Sequence, residues 1–167
     1  MYTSLSSAIA AAEQQNRPLS VVALEAESRD QGRPISEIRD VLRRALVVMR
    51  GAVEQGLVGD LKSASGLVGG DAAKVRISTK GPFSGTPFAS VLSRALAVQE
   101  VNAAMGVIVA APTAGGAGVL PAVLTGLATA AGIGDDRVID ALATAGLIGA
   151  VVAERASLSG AEGGCQA

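Results

Sequence analysis

From Val101 to Gly134 the chain carries no charged residue. An uncharged stretch of that length either crosses a bilayer or is buried in protein. Three features favour burial. Pro112 and Pro121 interrupt the run, and Ala114-Gly115-Gly116-Ala117-Gly118 lies in its middle. Its apolar residues are mostly Ala and Val, which insert weakly, and no aromatic belt flanks it. The expectation is a buried core segment and no membrane span.

What such a core packs against follows from the side chains available. Hydrophobic residues make up 49% of the 167 residues, enough for a folded domain, yet only 2% are aromatic. Ala, Val, Leu and Gly therefore do the packing. Small side chains let helices approach closely, so helix on helix is the natural architecture. The fold expected is all-α, a bundle of about six helices with long glycine-rich loops. The net charge of −1, without a basic run or stacking aromatics, argues against nucleic acid as a partner. The N-terminus has no basic n-region and reaches Glu13 quickly, unlike a secretory signal. A single cysteine forms no internal disulfide, which fits a cytoplasmic location.

The periodicity places the helices. Thr3 or Ser4 caps a first helix to about Gln15, with Leu5, Ile9 and Ala12 on one face. Ser20 is the expected cap of a second, stopped by Gly32. Ser36 opens a third, with Ile38, Val41, Leu42, Ala45, Val48, Met49 and Ala52 as its stripe and Arg39, Arg43, Arg44 and Arg50 on a solvated face. From Phe88 a further helix turns Val91, Leu92, Ala95, Leu96 and Val98 inward, and Asn102 near its end needs a partner if buried. A helix containing Pro121 follows. The last begins at Asp135 or Asp136, acidic residues suited to a helix N-terminus, and Gly146 and Gly149 are spaced for tight helix packing. The helical part of about residues 1–60 is set off from the rest by a long, glycine-punctuated stretch from Lys62 to Phe88, and long loops in compact domains are often functional.

Two glycine-rich segments invite a chemical reading. The loop around Gly115 imitates a dinucleotide-binding turn, but the G-x-G-x-x-G spacing is absent and no acidic residue follows at the required distance. Gly115 and Gly116 are expected to allow close backbone approach, or to expose N–H groups to a carboxylate. The second segment is SLSGAEGGCQA, which ends the sequence and holds its one cysteine, Cys165. Three roles are open to that thiol: an inert small hydrophobe, a nucleophile, or one ligand of a metal or cluster. The nucleophile reading lacks a histidine, because the chain has none, and the ligand reading lacks further thiolates. The residues alone lead to an incomplete helical domain with a candidate site at its C-terminal edge.

Several blocks go further. SLSGAEGGCQA from Ser157, AVQEVNAAMGVIVAAPTAGGAGVLPAVL from Ala97, SGLVGGDAAK from Ser65 and KGPFSG from Lys80 resemble blocks of the iron–sulfur-dependent L-serine dehydratases, in their alpha subunit or domain. The helix ending VVMRGAVEQGL resembles the region before them. The resemblance covers most of the chain and makes residues 1–167 the N-terminal portion of a larger helical, cluster-binding catalytic domain. It implies a lyase of serine degradation, linked to gluconeogenesis, that converts L-serine to pyruvate and ammonia without pyridoxal phosphate. A 4Fe-4S cluster held by three cysteines would offer one open iron as a Lewis acid to the β-hydroxyl.

In that resemblance Cys165 matches the first cluster ligand, and the other two are missing here, so the chain alone is expected to be inactive. Thr113 and Gly115 are candidates for holding the substrate carboxylate, with Lys80, Ser84, Asn102 and Glu162 behind them. The catalytic base is not identified. Gly116 stands where the family has Ser, so a hydroxyl is lost at that position. No segment resembles the beta domain, which makes a separate beta subunit the expected partner beside L-serine itself. Apolar surface left by the missing part would favour a homo-oligomer. The competing expectation is a small helical interaction module in which Cys165 only packs.

Overall fold

The computed structural model describes residues 2–158 apart from 79 and 82. Among them are seven helices and no strand: α1 (Leu5–Gln14), α2 (Leu19–Gln31), α3 (Ile35–Val58), α4 (Asp71–Ile77), α5 (Pro87–Ala103), α6 (Val119–Ala131) and α7 (Asp135–Ala153). The all-α expectation holds. The helix beyond the expected six is α4, inside the stretch read as loop. Seven residues are too few to hold a helix by local bonding alone, so α4 depends on tertiary partners. No helix is long and apolar enough to cross a membrane among the described residues. The uncharged run instead becomes the end of α5, a loop and α6, and it is core only in part: Val101, Ala117, Pro121, Ala122 and Ala128 are buried, whereas Met105, Val107 and Val119 are 86%, 75% and 66% exposed.

The chain forms two compact units, one of residues 1–44 with those from Asp135 on, the other Ala45–Gly134. These are cut differently from an N-terminal part ending near residue 60, because α7 joins the first helices and α3 contributes to both units.

In the first unit Ala8, Ala23 and Leu147 pack together under Tyr2 and Leu19, and Leu24, Ile38 and Ala143 pack with Leu42. Ser4 does cap α1, accepting the Ser7 N–H at 3.2 Å. The buried stripe of α1 is Ala8 and Ala12, however, and Ile9 is 45% exposed. Ser20 is no cap. It is buried, and α2 starts one residue earlier, after Pro18, whose carbonyl accepts from Val21 and Val22. Ser36 lies inside the first turn of α3 and not before it. Arg39 leaves the solvated face assigned to it. It donates to Asp140 at 2.7 Å and Asp136 at 3.3 Å, and the Asp140 hydrogen bond raises its pKa. Gly146 and Gly149 make no tight contact: a Cβ on either would meet nothing within 4 Å.

The second unit is built around α5. Its core joins Ala52 and Val53 of α3, Val98 and Val101 of α5, and Ala117, with Leu57, Leu61 and Ile108 against them. The inward face of α5 is Ser93, Ala97, Val98, Glu100 and Val101, and Leu92 is 37% exposed. Of the stripe expected through Val91, Leu92, Ala95, Leu96 and Val98, Val98 alone is buried, and the other four flank the buried face. The reason is close backbone approach. A Cβ on Gly56 of α3 would lie 2.2 Å from the Ala97 carbonyl oxygen, and one on Gly118 2.7 Å from that of Ala95. Where backbones come that near, small residues sit at the contact and large ones splay to its flanks.

Candidate functional site

Two neighbouring side chains on α5 hold two of the glycine-rich blocks. Glu100 is 3% exposed. Its Oε2 accepts the Gly70 N–H at 2.9 Å, and its Oε1 accepts those of Asp71 at 2.7 Å and Ala72 at 2.9 Å. These are donors that a helix start leaves unpaired, and the carboxylate also complements the positive end of α4. The interaction supplies from α5 what the short α4 lacks locally, so SGLVGGDAAK acquires a defined shape. Beside it, Gln99 donates from Nε2 to the Gly115 carbonyl at 2.9 Å, which ties the APTAGGAG loop to the same helix. That loop includes the cis peptide Ala111–Pro112. Inside it Thr113 Oγ1 accepts the Gly116 N–H at 3.3 Å. The KGPFSG block sits at the other end of α5. Thr86 caps the helix by accepting the Ala89 N–H, and Phe83 packs on Phe88 with ring centroids 5.0 Å apart.

This arrangement sorts the expected residues. Thr113 and Gly115 lie at the C-terminal end of α5, which also carries Asn102. Lys80 and Ser84 precede its N-terminus. Thirteen residues of helix from Thr86 to Gln99 separate the ends by about 20 Å, so the two groups do not form one small-molecule site. Asn102 is half-buried, and its side chain makes no hydrogen bond among the described residues. The buried tie expected of it is made by Glu100. A Cβ on Gly115 would meet nothing within 4 Å and one on Gly116 only ordinary contacts from 3.6 Å, so the close backbone approach belongs to Gly118. Lys80 is exposed and Ser84 half-buried. In the first block Lys74 donates to Asp71 at 2.8 Å, and that hydrogen bond raises its pKa. Glu162 and Cys165 lie outside the described residues.

Glu100 was missed because an acidic side chain on a helix is mostly exposed unless paired. One signal was available: an acidic residue seven positions after Ser93 and three after Ala97, on the small-residue face. An apolar cavity of about 450 Å³ lies in the other unit, lined by Leu24, Ile38, Leu142 and Leu147 among others, and holds none of these blocks.

Comparison with known proteins accounts for this clustering of motif blocks. The family model described as the serine dehydratase alpha chain matches residues 6–167. The chain belongs to that family. It is 48% identical over 124 residues to a probable L-serine dehydratase alpha chain of Bacillus subtilis, covering 73% of this chain and 41% of that protein. With an L-serine dehydratase of Streptomyces coelicolor it shares 38% over 154 residues, 89% of this chain and 33% of the relative. An L-serine dehydratase alpha chain of Peptoniphilus asaccharolyticus is 32% identical over 148 residues, 87% of this chain and 51% of the relative. The chain thus spans a third to a half of these relatives. No solved structure matches it.

A 4Fe-4S cluster, which the resemblance implies for such proteins, was tested against the residues present. No group of three His, Cys, Asp or Glu side chains able to hold a metal occurs among the described residues. The sequence has one cysteine, whereas a cluster needs three or four thiolates. This chain alone does not fit the group.

Proposed function

We propose that the chain is the part of an L-serine dehydratase that shapes two loops of its active site, in an enzyme that converts L-serine to pyruvate and ammonia. The observation that carries this reading is the gathering of two family blocks on one helix by Gln99 and Glu100. Membership of the alpha-chain family over nearly the whole sequence supports it. Thr113 and Gly115 are the residues we assign to the substrate, with Asn102 near them on α5. Lys80 and Ser84 belong to the other end of the helix. The carboxylate of Glu100 and the amide of Gln99 act on the loops and not on the substrate, so both are positioning residues.

In this reading Cys165, with Glu162 nearby in sequence, belongs to a cluster site completed by cysteines outside this chain. A beta subunit is the partner that completes the enzyme. The enzyme works in the cytoplasm, where unpaired thiols persist.

The test is pyruvate formation from L-serine after anaerobic iron–sulfur reconstitution. This chain alone is compared with the complete alpha chain plus its beta partner, and the complete enzyme is remade with Cys165→Ser. Activity only in the complete enzyme, lost together with the iron–sulfur absorbance in the serine variant, supports the reading. Full activity and cluster content without Cys165 would overturn its assignment. A complete pair that leaves serine untouched would overturn the function.

A further inference from the structure

A second polar feature lies at the opposite end of α5 from Thr113 and Gly115. A cleft of about 240 Å³ opens between the end of α4 and the start of α5. Its polar lining is Arg76, Ser78, Thr86, Ser90, Ser93 and Arg94, with no acidic side chain among its described residues. Arg94 uses Nη1 on Ser90, at 2.5 Å to Oγ and 3.4 Å to the carbonyl. A guanidinium has five N–H donors, so the rest of its fork remains available. Arg76 makes no ion pair or side-chain hydrogen bond among the described residues. The hydroxyls are mostly engaged: Ser78 donates to the Lys80 carbonyl, Ser93 to that of Ser90, and Thr86 to that of Phe83. Their oxygens keep lone pairs that can accept.

Two guanidiniums without a counter-charge make a site that gains by binding an anion. We propose that this cleft binds a small carboxylic acid, its carboxylate held by Arg76 and Arg94 and its α-substituent received by the serine and threonine oxygens. The volume suits a molecule of three or four carbons and is too small for a nucleotide. The chemistry is shared by an α-amino acid such as L-serine, whose ammonium donates to those oxygens, and an α-keto acid such as pyruvate. The keto oxygen accepts from the Ser90 hydroxyl, which is an acceptor for Arg94 and donates to no group among the described residues. The proposal does not rest on turnover, because binding alone tests it.

The arginine Nε–H signals of the full chain are followed by 1H–15N NMR during titration with L-serine, pyruvate or inorganic phosphate. Saturable shifts at Arg76 and Arg94 with either acid are expected, and the acid that saturates first names the source. Arg76→Gln should weaken that binding about tenfold, the loss expected for one charge-assisted contact. Arg76 is exposed and touches no partner, so this variant should keep the melting temperature of the parent. Arg94→Lys should retain part of the binding through its charge. Shifts that never saturate, binding unchanged in Arg76→Gln, or tighter binding of phosphate than of either acid would each overturn the proposal.

Discussion

The two units of this chain place carboxylates and glycines in opposite circumstances. In the α5-centred unit Glu100 is buried and spends both oxygens on backbone N–H groups, and Gly56 and Gly118 sit where no Cβ fits. In the other unit Asp136 is 80% exposed beside a half-buried arginine, and Gly146 and Gly149 face open space. The same residue types are therefore structural necessities at these close contacts and near-neutral choices where the backbone lies open. Chemical type did not decide which. Backbone separation did: close contact around α5 excludes water and removes any alternative partner, so Gly56, Gly118 and Glu100 each have a single workable identity.

Substitutions can break this comparison, the largest effect coming first. Glu100→Ala leaves three backbone donors without their acceptor and should cost about 3–4 kcal/mol, read as a lower urea midpoint. Loss of amide-exchange protection confined to residues 70–77 would mark α4 as the element released. Asp136→Ala, its counterpart in the other unit, should change stability far less, and equal losses would sink the contrast. Gly56→Ala forces a methyl against the Ala97 carbonyl and should cost about 2–3 kcal/mol. Gly146→Ala meets nothing within 4 Å and should instead stabilise α7 by up to about 1 kcal/mol. A destabilised Gly146→Ala would show that its face is covered after all.

The smaller effects are electrostatic. Arg39→Met should cost about 0.5–1 kcal/mol, fading in part as salt is added because Asp136 is 80% exposed while Asp140 is half-buried. Lys74 has its pKa raised by the Asp71 hydrogen bond. Stability from that pair is thus present below the ordinary lysine value of 10.5 and lost as pH rises through the folded value. Lys74→Met should then differ slightly from the parent at neutral pH and not at all in strong alkali, as measured by thermal melts across that range.

The sequence was more informative about elements than about their faces. Long periodic runs such as α3 and α7 were legible because their apolar spacing repeats over several turns. The caps at Ser4 and the stop at Gly32 were legible from local chemistry. The phase of α5 was not. Its large residues, Leu92 and Leu96, draw the eye as a core stripe, while the buried positions are Ser93 and Ala97. The substrate candidates met the same limit: Lys80 and Ser84 lie in a family-like block, as Thr113 does, but nothing local says that a helix holds them about 20 Å apart.

By itself, then, the sequence determined that this chain is helical, that its uncharged stretch is broken by proline and glycine and forms no single long apolar helix, and which family its blocks belong to. Those properties are written in composition, period and motif, each readable within a few turns of chain. Only the tertiary structure decided that Glu100 organises α4, that Gly118 and not Gly115 meets a neighbouring backbone, and that Arg76 and Arg94 share a cleft. These depend on which residues meet across long separations, and they turn on ångström-scale contacts between backbones that no local pattern encodes.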